Sequence, residues 1–119
     1  MIDIGVHVVV RDASLREALV TRITRAPGFY VAQQPDSFTG LAPGDLVLTT
    51  TTDCSLQQCA EQTRGGVKVV LLAPVLREAE RASYALAGGR YIPMLVDTRQ
   101  LFEALAGASR AQGSPIAGA

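Results

Sequence analysis

The feature that most constrains this chain is a repeated alternation between short apolar runs and segments with helical spacing. The apolar runs are rich in β-branched residues and are bounded by glycine, proline or capping residues, a pattern typical of strands buried on both faces of a parallel sheet. None of them approaches the roughly 20 residues that a membrane-spanning helix needs. The five predicted strands are residues 6–10, 29–32, 45–51, 67–73 and 91–96.

Capping and stop signals predict helices between most of these strands. Ser14 and Ser55 each begin a capping box, Ser-x-x-Glu and Ser-x-x-Gln, which satisfies free backbone N–H groups at a helix start. Pro74 suits the first position of a third helix, and Asp97 can cap the last one. Residues 33–44 contain two prolines and two glycines, so we expect a loop there, with at most one helical turn. The side of the first helix expected to face the sheet carries Leu15, Ala18, Leu19, Arg22, Ile23 and Ala26.

The order of the elements predicts the fold class and the domain organisation. Strands that alternate with helices through short connections indicate an α/β fold, a doubly wound parallel sheet covered by helices on both faces. The chain has 119 residues, which is enough for one domain with one core. We expect this domain to span residues 1–107. Residues 108–119 are mostly Ala, Gly, Ser and Pro with a single charge, and are expected to form a flexible linker or tail.

Charge and cysteine usage exclude several classes of function. Lys and Arg together number 11, as do Asp and Glu, so the formal net charge is zero and nothing favours direct binding to nucleic acid or to an acidic membrane. Since no signal peptide is apparent, a cytoplasmic protein is expected. Cys54 and Cys59, five residues apart on an expected helix, are interpreted as small buried residues rather than a disulfide or redox pair. With His7 they make a poor metal-ligand set, so neither a metal nor a cofactor is expected.

Several segments, taken in order, resemble bacterial response-regulator receiver domains. The matching segments are Val-Val-Val-Arg-Asp (8–12), Leu-Arg-Glu-Ala-Leu (15–19), Gly-Asp-Leu-Val-Leu (44–48), Val-Lys-Val-Val-Leu-Leu (67–72) and Ala-Gly-Gly-Arg-Tyr (87–91). The likeness covers residues 6–107 and is closest to receivers that precede a helix-turn-helix output domain. It implies a flavodoxin-like fold, with a five-stranded parallel sheet in the order 2-1-3-4-5.

The resemblance also locates a phosphorylation pocket in which most of the chemistry is missing. Receivers place two acids after the first strand to hold Mg²⁺, an acceptor Asp after the third, a hydroxyl after the fourth and a Lys in the fifth. Metal and lysine together neutralise the phosphoryl charge. The corresponding positions here are Arg11, Asp12, Thr50, Ala73 and Met94. Only Asp12 keeps the family's residue type, which implies an atypical, phosphorylation-independent receiver. Tyr91 matches the family's switch aromatic, although a simple packed or interface tyrosine fits the sequence equally well.

Two interpretations of Arg11 stay open at this point. At the carboxyl end of the first strand it stands where open α/β sheets bind ligands, so it is a candidate for binding an anion. Alternatively, its guanidinium pairs with the carboxylate of Asp12 or Asp53 and fills the former metal pocket.

The function implied by the resemblance is regulatory and non-catalytic. A receiver-like domain that forms a homodimer would control an attached C-terminal output domain, expected to bind DNA and regulate transcription, without Asp phosphorylation. The expected contact face comprises the last two helices and the strand between them, because its mixed charges and aromatic rings suit recognition. Its candidate residues are Glu78, Arg81, Tyr84, Tyr91, Arg99, Phe102 and Glu103.

A different class of function is the alternative: a sensor module that holds a small anion in the former phosphorylation pocket, near Arg11, Thr50 and Ala73. An enzyme is not expected, because no nucleophile–base pair or metal constellation can be assembled from these residues.

Overall fold

The computed structural model describes residues 3–32, 38–95 and 97–110, and its centre is a parallel sheet of five strands. The strand order is β2-β1-β3-β4-β5, which confirms the expected flavodoxin-like topology. The third strand is buried along its whole length, including its two threonines, because it lies in the middle of the sheet and helices cover both faces. Pro93 ends the fifth strand, which lies at the edge of the sheet. This agrees with the prediction from Pro93, because proline has no N–H to donate to a neighbouring strand. The strands are β1 (Ile4–Val9), β2 (Phe29–Val31), β3 (Leu46–Thr50), β4 (Lys68–Ala73) and β5 (Arg90–Pro93).

Four helices cover the two faces of this sheet. They are α1 (Ala13–Arg25), α2 (Leu56–Arg64), α3 (Glu78–Leu86) and α4 (Thr98–Arg110). Helices α1 and α4 pack on one face, where Leu19 and Leu101 join a core with the strand valines and leucines. Helices α2 and α3 pack on the other face, where Cys59 and Tyr84 join a second core. Alternating strand residues supply the two cores, because successive side chains of a strand point to opposite faces.

The connection between β2 and β3 differs from the other crossovers. Its described part, residues 38–45, contains turns and no helix, as its prolines and glycines predict. Phe38 and Leu41 pack from this segment onto the second core. The single helical turn expected at 36–41 falls partly on residues outside the described part of the chain.

Helix α1 begins earlier than the capping box at Ser14 predicts. The actual N-cap is Asp12, whose carboxylate oxygen Oδ1 accepts the N–H of Leu15 at 2.9 Å. Asp12 has the extended backbone of an N-cap directly after β1, so Ser14 falls inside the first helical turn. The buried stripe of the helix is narrower than expected, and Ala18 is exposed rather than packed on the sheet.

The predicted start of the third helix at Pro74 is wrong. Residues 74–77 are irregular, and α3 begins at Glu78 after an Arg77 N-cap that makes no side-chain capping bond. The reason is a tertiary contact: the hydroxyl of Tyr91 accepts the N–H of Arg77 at 3.2 Å and holds this segment over β5. By contrast, the Ser55 cap of α2 and the Asp97 cap of α4 are confirmed, because each side chain accepts the backbone N–H three residues on.

The expected domain boundary at residue 107 is also wrong. Helix α4 continues to Arg110, and Ala108 is buried in the first core. The ammonium of Lys68 donates to the carbonyl oxygen of Ser109 at 2.9 Å, a favourable cation at a helix C-terminus. Small residues that resemble a linker in sequence instead allow the helix to approach the sheet closely. The rest of the expected tail, residues 111–119, lies outside the described residues.

The two cysteines are buried thiols, as predicted, but they are neighbours rather than widely separated. Cys54 precedes the Ser55 N-cap and is therefore not on α2, so helical spacing does not apply to the pair. The interaction with the neighbouring thiol of Cys59, together with burial, raises the pKa of the Cys54 thiol. The same interaction lowers the pKa of the Cys59 thiol.

None of the helices in the described part of the chain is long and apolar enough to cross a lipid bilayer.

Candidate functional site

A cavity of about 430 Å³ lies at the carboxyl ends of the strands. Four of the five predicted pocket positions meet there, because parallel strands end at one edge of the sheet. The fifth, Ala73, is buried, with 1% exposure, and is not part of the lining. The residues around this cavity, hereafter the strand-end cavity, are Arg11, Asp12, Leu15, Thr50, Thr52, Asp53 and Met94.

Thr50, at the position expected for the phosphoryl acceptor, forms two hydrogen bonds with Asp53. The hydroxyl of Thr50 donates to Asp53 Oδ2 at 2.6 Å and accepts the N–H of Asp53 at 3.1 Å. Asp53 Oδ1 also accepts the backbone N–H of Arg11 at 3.3 Å. The carboxylate therefore joins the chain just after β1 to the end of β3.

The described residues do not fit the Mg²⁺ ion of receivers. Asp12 accepts the N–H of Leu15 as the N-cap of α1, and Asp53 is held by Thr50 and by Arg11. Mg²⁺ requires several oxygen ligands in octahedral geometry, and the first acid position carries a guanidinium instead. Among residues 3–32, 38–95 and 97–110, no three His, Cys, Asp or Glu side chains are grouped as metal ligands.

The ion pair proposed for Arg11 is wrong within the described residues. Its contact with Asp53 is made by the backbone N–H, and its side chain is exposed. The ion pairs of the described chain join His7 to Asp45, Arg81 to Glu78 and Arg99 to Glu103. Asp12 is turned to the helix N-terminus, where it receives a backbone N–H, so it does not reach the guanidinium.

Tyr91 points inward and ties the segment before α3 to β5. The residue is 5% exposed, and its hydroxyl donates to Glu80 Oε1 at 2.6 Å while accepting the N–H of Arg77. Burial, together with the hydrogen bond to Glu80, raises the pKa of the Tyr91 phenol. In this conformation the ring stabilises the β4–α3 connection and does not offer an exposed aromatic surface.

Of the other two aromatic members of the predicted interface, Tyr84 is inside the domain and Phe102 is half-buried. Tyr84 is 4% exposed, stacks on Tyr91 with ring centroids 5.8 Å apart, and donates its hydroxyl to the carbonyl of Cys54 at 2.6 Å. Burial raises the pKa of Tyr84 to about 12. Phe102 packs against Phe29 at 4.8 Å on the first core. The accessible placement expected for Tyr84 and Tyr91 is therefore wrong, because both rings are buried in the second core, whereas Phe102 is only partly buried and its place at an interface stays a prediction.

The charged members of the predicted interface are exposed, as a recognition surface requires. Glu78 pairs with Arg81 at 3.7 Å along α3, and Arg99 pairs with Glu103 at 3.3 Å along α4. Such exposed pairs contribute little to stability. Exposed leucines accompany them: Leu86 ends α3 with 91% exposure, and Leu95 follows β5 with 94% exposure.

A second cavity, of about 320 Å³, lies on the face covered by α2 and was not predicted from the sequence. Its polar walls include the carboxamides of Gln58 and Gln62. The spacing of these two residues in the sequence indicated a shared polar side of the helix, since residues four apart are neighbours on a helix surface. The partner segment, 38–45, is remote in sequence, so no local pattern reveals the cavity. The lining residues are Val9, Arg11, Phe38, Thr39, Asp53, Gln58 and Gln62.

No family model and no curated protein matches this chain. Solved structures do match it. The receiver domain of the putative response regulator NarL from Mycobacterium tuberculosis is 15% identical with a TM-score of 0.77, over 92% of this chain and 98% of that one. The response regulator ChrA of a heme-sensing two-component system is 17% identical with a TM-score of 0.72, over 94% of this chain. This chain spans 59% of the ChrA chain.

A third match extends the range of proteins that share the fold. A putative pilus assembly-related protein from Burkholderia pseudomallei is 17% identical with a TM-score of 0.70, over 90% of each chain. At these identities the comparisons establish the fold, and a fold serves more than one function. Together with the strand order, they show that residues 3–32, 38–95 and 97–110 of this chain adopt the fold of response-regulator receiver domains.

Proposed function

We propose that this chain is a regulatory receiver-like domain that works by association with a second copy and not by Asp phosphorylation. The observation that carries the proposal is the hydrogen bonding of the strand-end cavity. Thr50 stands at the acceptor position and is closed onto Asp53, while Asp12 is used as a helix cap. The site therefore offers no acceptor carboxylate at position 50, no set of carboxylates to bind a metal, and a methionine instead of a lysine at position 94.

The same proposal includes an attached output domain. Receivers convey a signal through a rigid surface to a second domain, and in ChrA the matching region makes up 59% of the chain. We propose a C-terminal DNA-binding domain that regulates transcription as the output, in line with the resemblance to receivers that precede helix-turn-helix domains. The coding sequence downstream of residue 119 tests this directly, and a different type of domain there would contradict it.

Phosphoryl donors are expected to leave this domain unmodified. Incubation with acetyl phosphate and Mg²⁺ should give no stoichiometric mass increase, and beryllofluoride should not shift the amide NMR signals of Asp12 and Thr50. The reason is that position 50 offers a hydroxyl already bonded to Asp53, with neither metal nor lysine to neutralise the incoming charge. An adduct on Asp12 or Asp53, detected by intact mass and peptide mapping, would contradict phosphorylation independence.

Association is expected through the face formed by α3, β5 and α4. A two-fold dimer places the same surface on both chains, so the exposed pairs Glu78–Arg81 and Arg99–Glu103 can exchange partners across the axis. Glu103→Arg should then raise the dimer dissociation constant roughly tenfold or more and alter its salt dependence. Sedimentation equilibrium at two ionic strengths measures both quantities.

The matched control is Glu17→Arg, the same charge reversal on exposed surface of α1. It should leave the dissociation constant unchanged, since α1 is not one of the elements of the proposed contact. Equal weakening by both variants would indicate a general charge effect and contradict the chosen face. A wild-type domain that stays monomeric at several hundred micromolar would contradict association altogether.

A further inference from the structure

The cavity on the α2 face, defined above by its lining and hereafter the α2 cavity, is built differently from the strand-end cavity. Its volume of about 320 Å³ lies within the range of roughly 300–1,000 Å³ in which proteins hold small ligands. It is lined by Val9 at the end of β1, by Gln58 and Gln62 of α2, and by Phe38 from the connection between β2 and β3, whose described part contains no helix. Most of the described lining is polar, so hydrogen bonds and charge would select a ligand more than apolar contact would.

Three polar side chains of the α2 cavity, those of Arg11, Gln58 and Gln62, have unused hydrogen-bonding capacity among the described residues. The side chains of Gln58 and Gln62 are half-buried, and neither carboxamide bonds to another side chain or carbonyl within the described ranges. The guanidinium of Arg11 has no carboxylate partner among the same residues. Asp53, which lines both cavities, already accepts hydrogen bonds from Thr50 and from the backbone N–H of Arg11. The half-buried carboxamides of Gln58 and Gln62 have lost part of their hydration, and a ligand that bonds them would replace it.

The charge of the α2 cavity narrows the class of ligand. Among the residues that the structure describes, one guanidinium, on Arg11, and one carboxylate, on Asp53, line it without pairing with each other through their side chains. Their charges sum to zero, so a simple anion would gain from Arg11 and lose against Asp53. A ligand that carries both charges a few bonds apart satisfies both groups. The carboxamides of Gln58 and Gln62 and the ring of Phe38 can contact a ligand side chain of intermediate polarity.

We propose that the α2 cavity binds a free α-amino acid. The ligand carboxylate pairs with Arg11, its ammonium pairs with Asp53, and its side chain lies between the ring of Phe38 and the carboxamides of Gln58 and Gln62. Asp53 can accept a further bond, because a carboxylate offers about four lone-pair sites and two are used here. Since Asp53 also bonds Thr50 and the backbone of Arg11, a ligand there contacts the loop that joins β3 to α2. This inference does not rest on the proposed association.

The test is a titration of the ¹⁵N-labelled chain with each of the twenty proteinogenic amino acids, followed by amide NMR and thermal unfolding. At least one is expected to shift the amide signals of Phe38, Gln58 and Gln62 and to raise the melting temperature. Its N-acetyl derivative, which lacks the ammonium, and its amide, which lacks the carboxylate, should each bind at least about tenfold more weakly. Binding of succinate as tight as that of the amino acid would assign the site to anions and overturn the proposal.

Matched variants separate the two cavities. Arg11→Gln, on an exposed side chain, and Gln62→Leu, on the lining of the α2 cavity alone, should each weaken binding about tenfold or more while the variants stay folded by circular dichroism. Thr52→Ala changes the strand-end cavity alone and should leave the affinity unchanged. The proposal is overturned if no amino acid binds, or if Thr52→Ala abolishes binding and Gln62→Leu does not.

Discussion

Replacing Thr50 by Asp, which restores the residue type of the family's acceptor, is expected to lower the free energy of unfolding by about 2–4 kcal/mol and not to create a phosphorylatable domain. Thr50 is 3% exposed, and its hydroxyl donates to Asp53 Oδ2 at 2.6 Å. A carboxylate in its place would face the carboxylate of Asp53 in a poorly hydrated position, with one hydrogen bond lost and a like charge added. Urea unfolding monitored by circular dichroism measures the loss.

The pH dependence of this loss identifies its cause. Repulsion between the two carboxylates raises at least one of their pKa values in the folded variant above the unfolded value. A group with a raised folded pKa is stabilising below its unfolded pKa, near 4, and that contribution is lost as the pH rises through the folded pKa. The deficit of Thr50→Asp relative to wild type should therefore be larger at pH 8 than at pH 4.5. Thr52→Asp, on exposed surface beside the same cavity, should cost less than about 0.5 kcal/mol at both pH values.

Leu101→Ala is expected to lower the free energy of unfolding by about 2–5 kcal/mol, the second large effect. Leu101 is fully buried on α4, in the core that this helix forms with α1 and the sheet. Removing three carbons there leaves a cavity that the surrounding side chains fill only in part, so lost burial and lost contacts add together. Guanidinium unfolding at constant m-value gives the difference in stability.

Leu86→Ala is the matched control for this substitution. Leu86 is also a helical leucine, but it is 91% exposed at the end of α3. Since the change in helix propensity is the same in both variants, the difference between them isolates burial. Leu86→Ala should alter stability by less than about 0.5 kcal/mol. A similar cost for both leucines would mean that α4 does not carry the core described here.

Features that depend on a few neighbouring residues, such as strand positions and helix caps, can be predicted from the sequence. The short apolar runs predicted the ends of all five strands to within three residues, and the capping residues Ser55 and Asp97 predicted the starts of two helices. The residue types at the predicted pocket positions are of the same kind, because no folding can supply a carboxylate at position 50 or an ammonium at position 94.

Tertiary structure alone decided which side chains are accessible and which segments meet. From the sequence alone, Tyr84 and Tyr91 could lie on a recognition surface or in the core. In the structure both rings are buried, and their hydroxyls donate hydrogen bonds to Cys54 and Glu80. Residues 108–110 resemble a linker in composition, yet α4 continues through them to Arg110. Its last turn is stabilised by packing on the sheet and by the hydrogen bond from Lys68 to the carbonyl of Ser109. The α2 cavity likewise joins three segments that are remote along the chain. Local patterns encode the conformation of a segment, whereas burial, pairing and cavities depend on which distant segments come together.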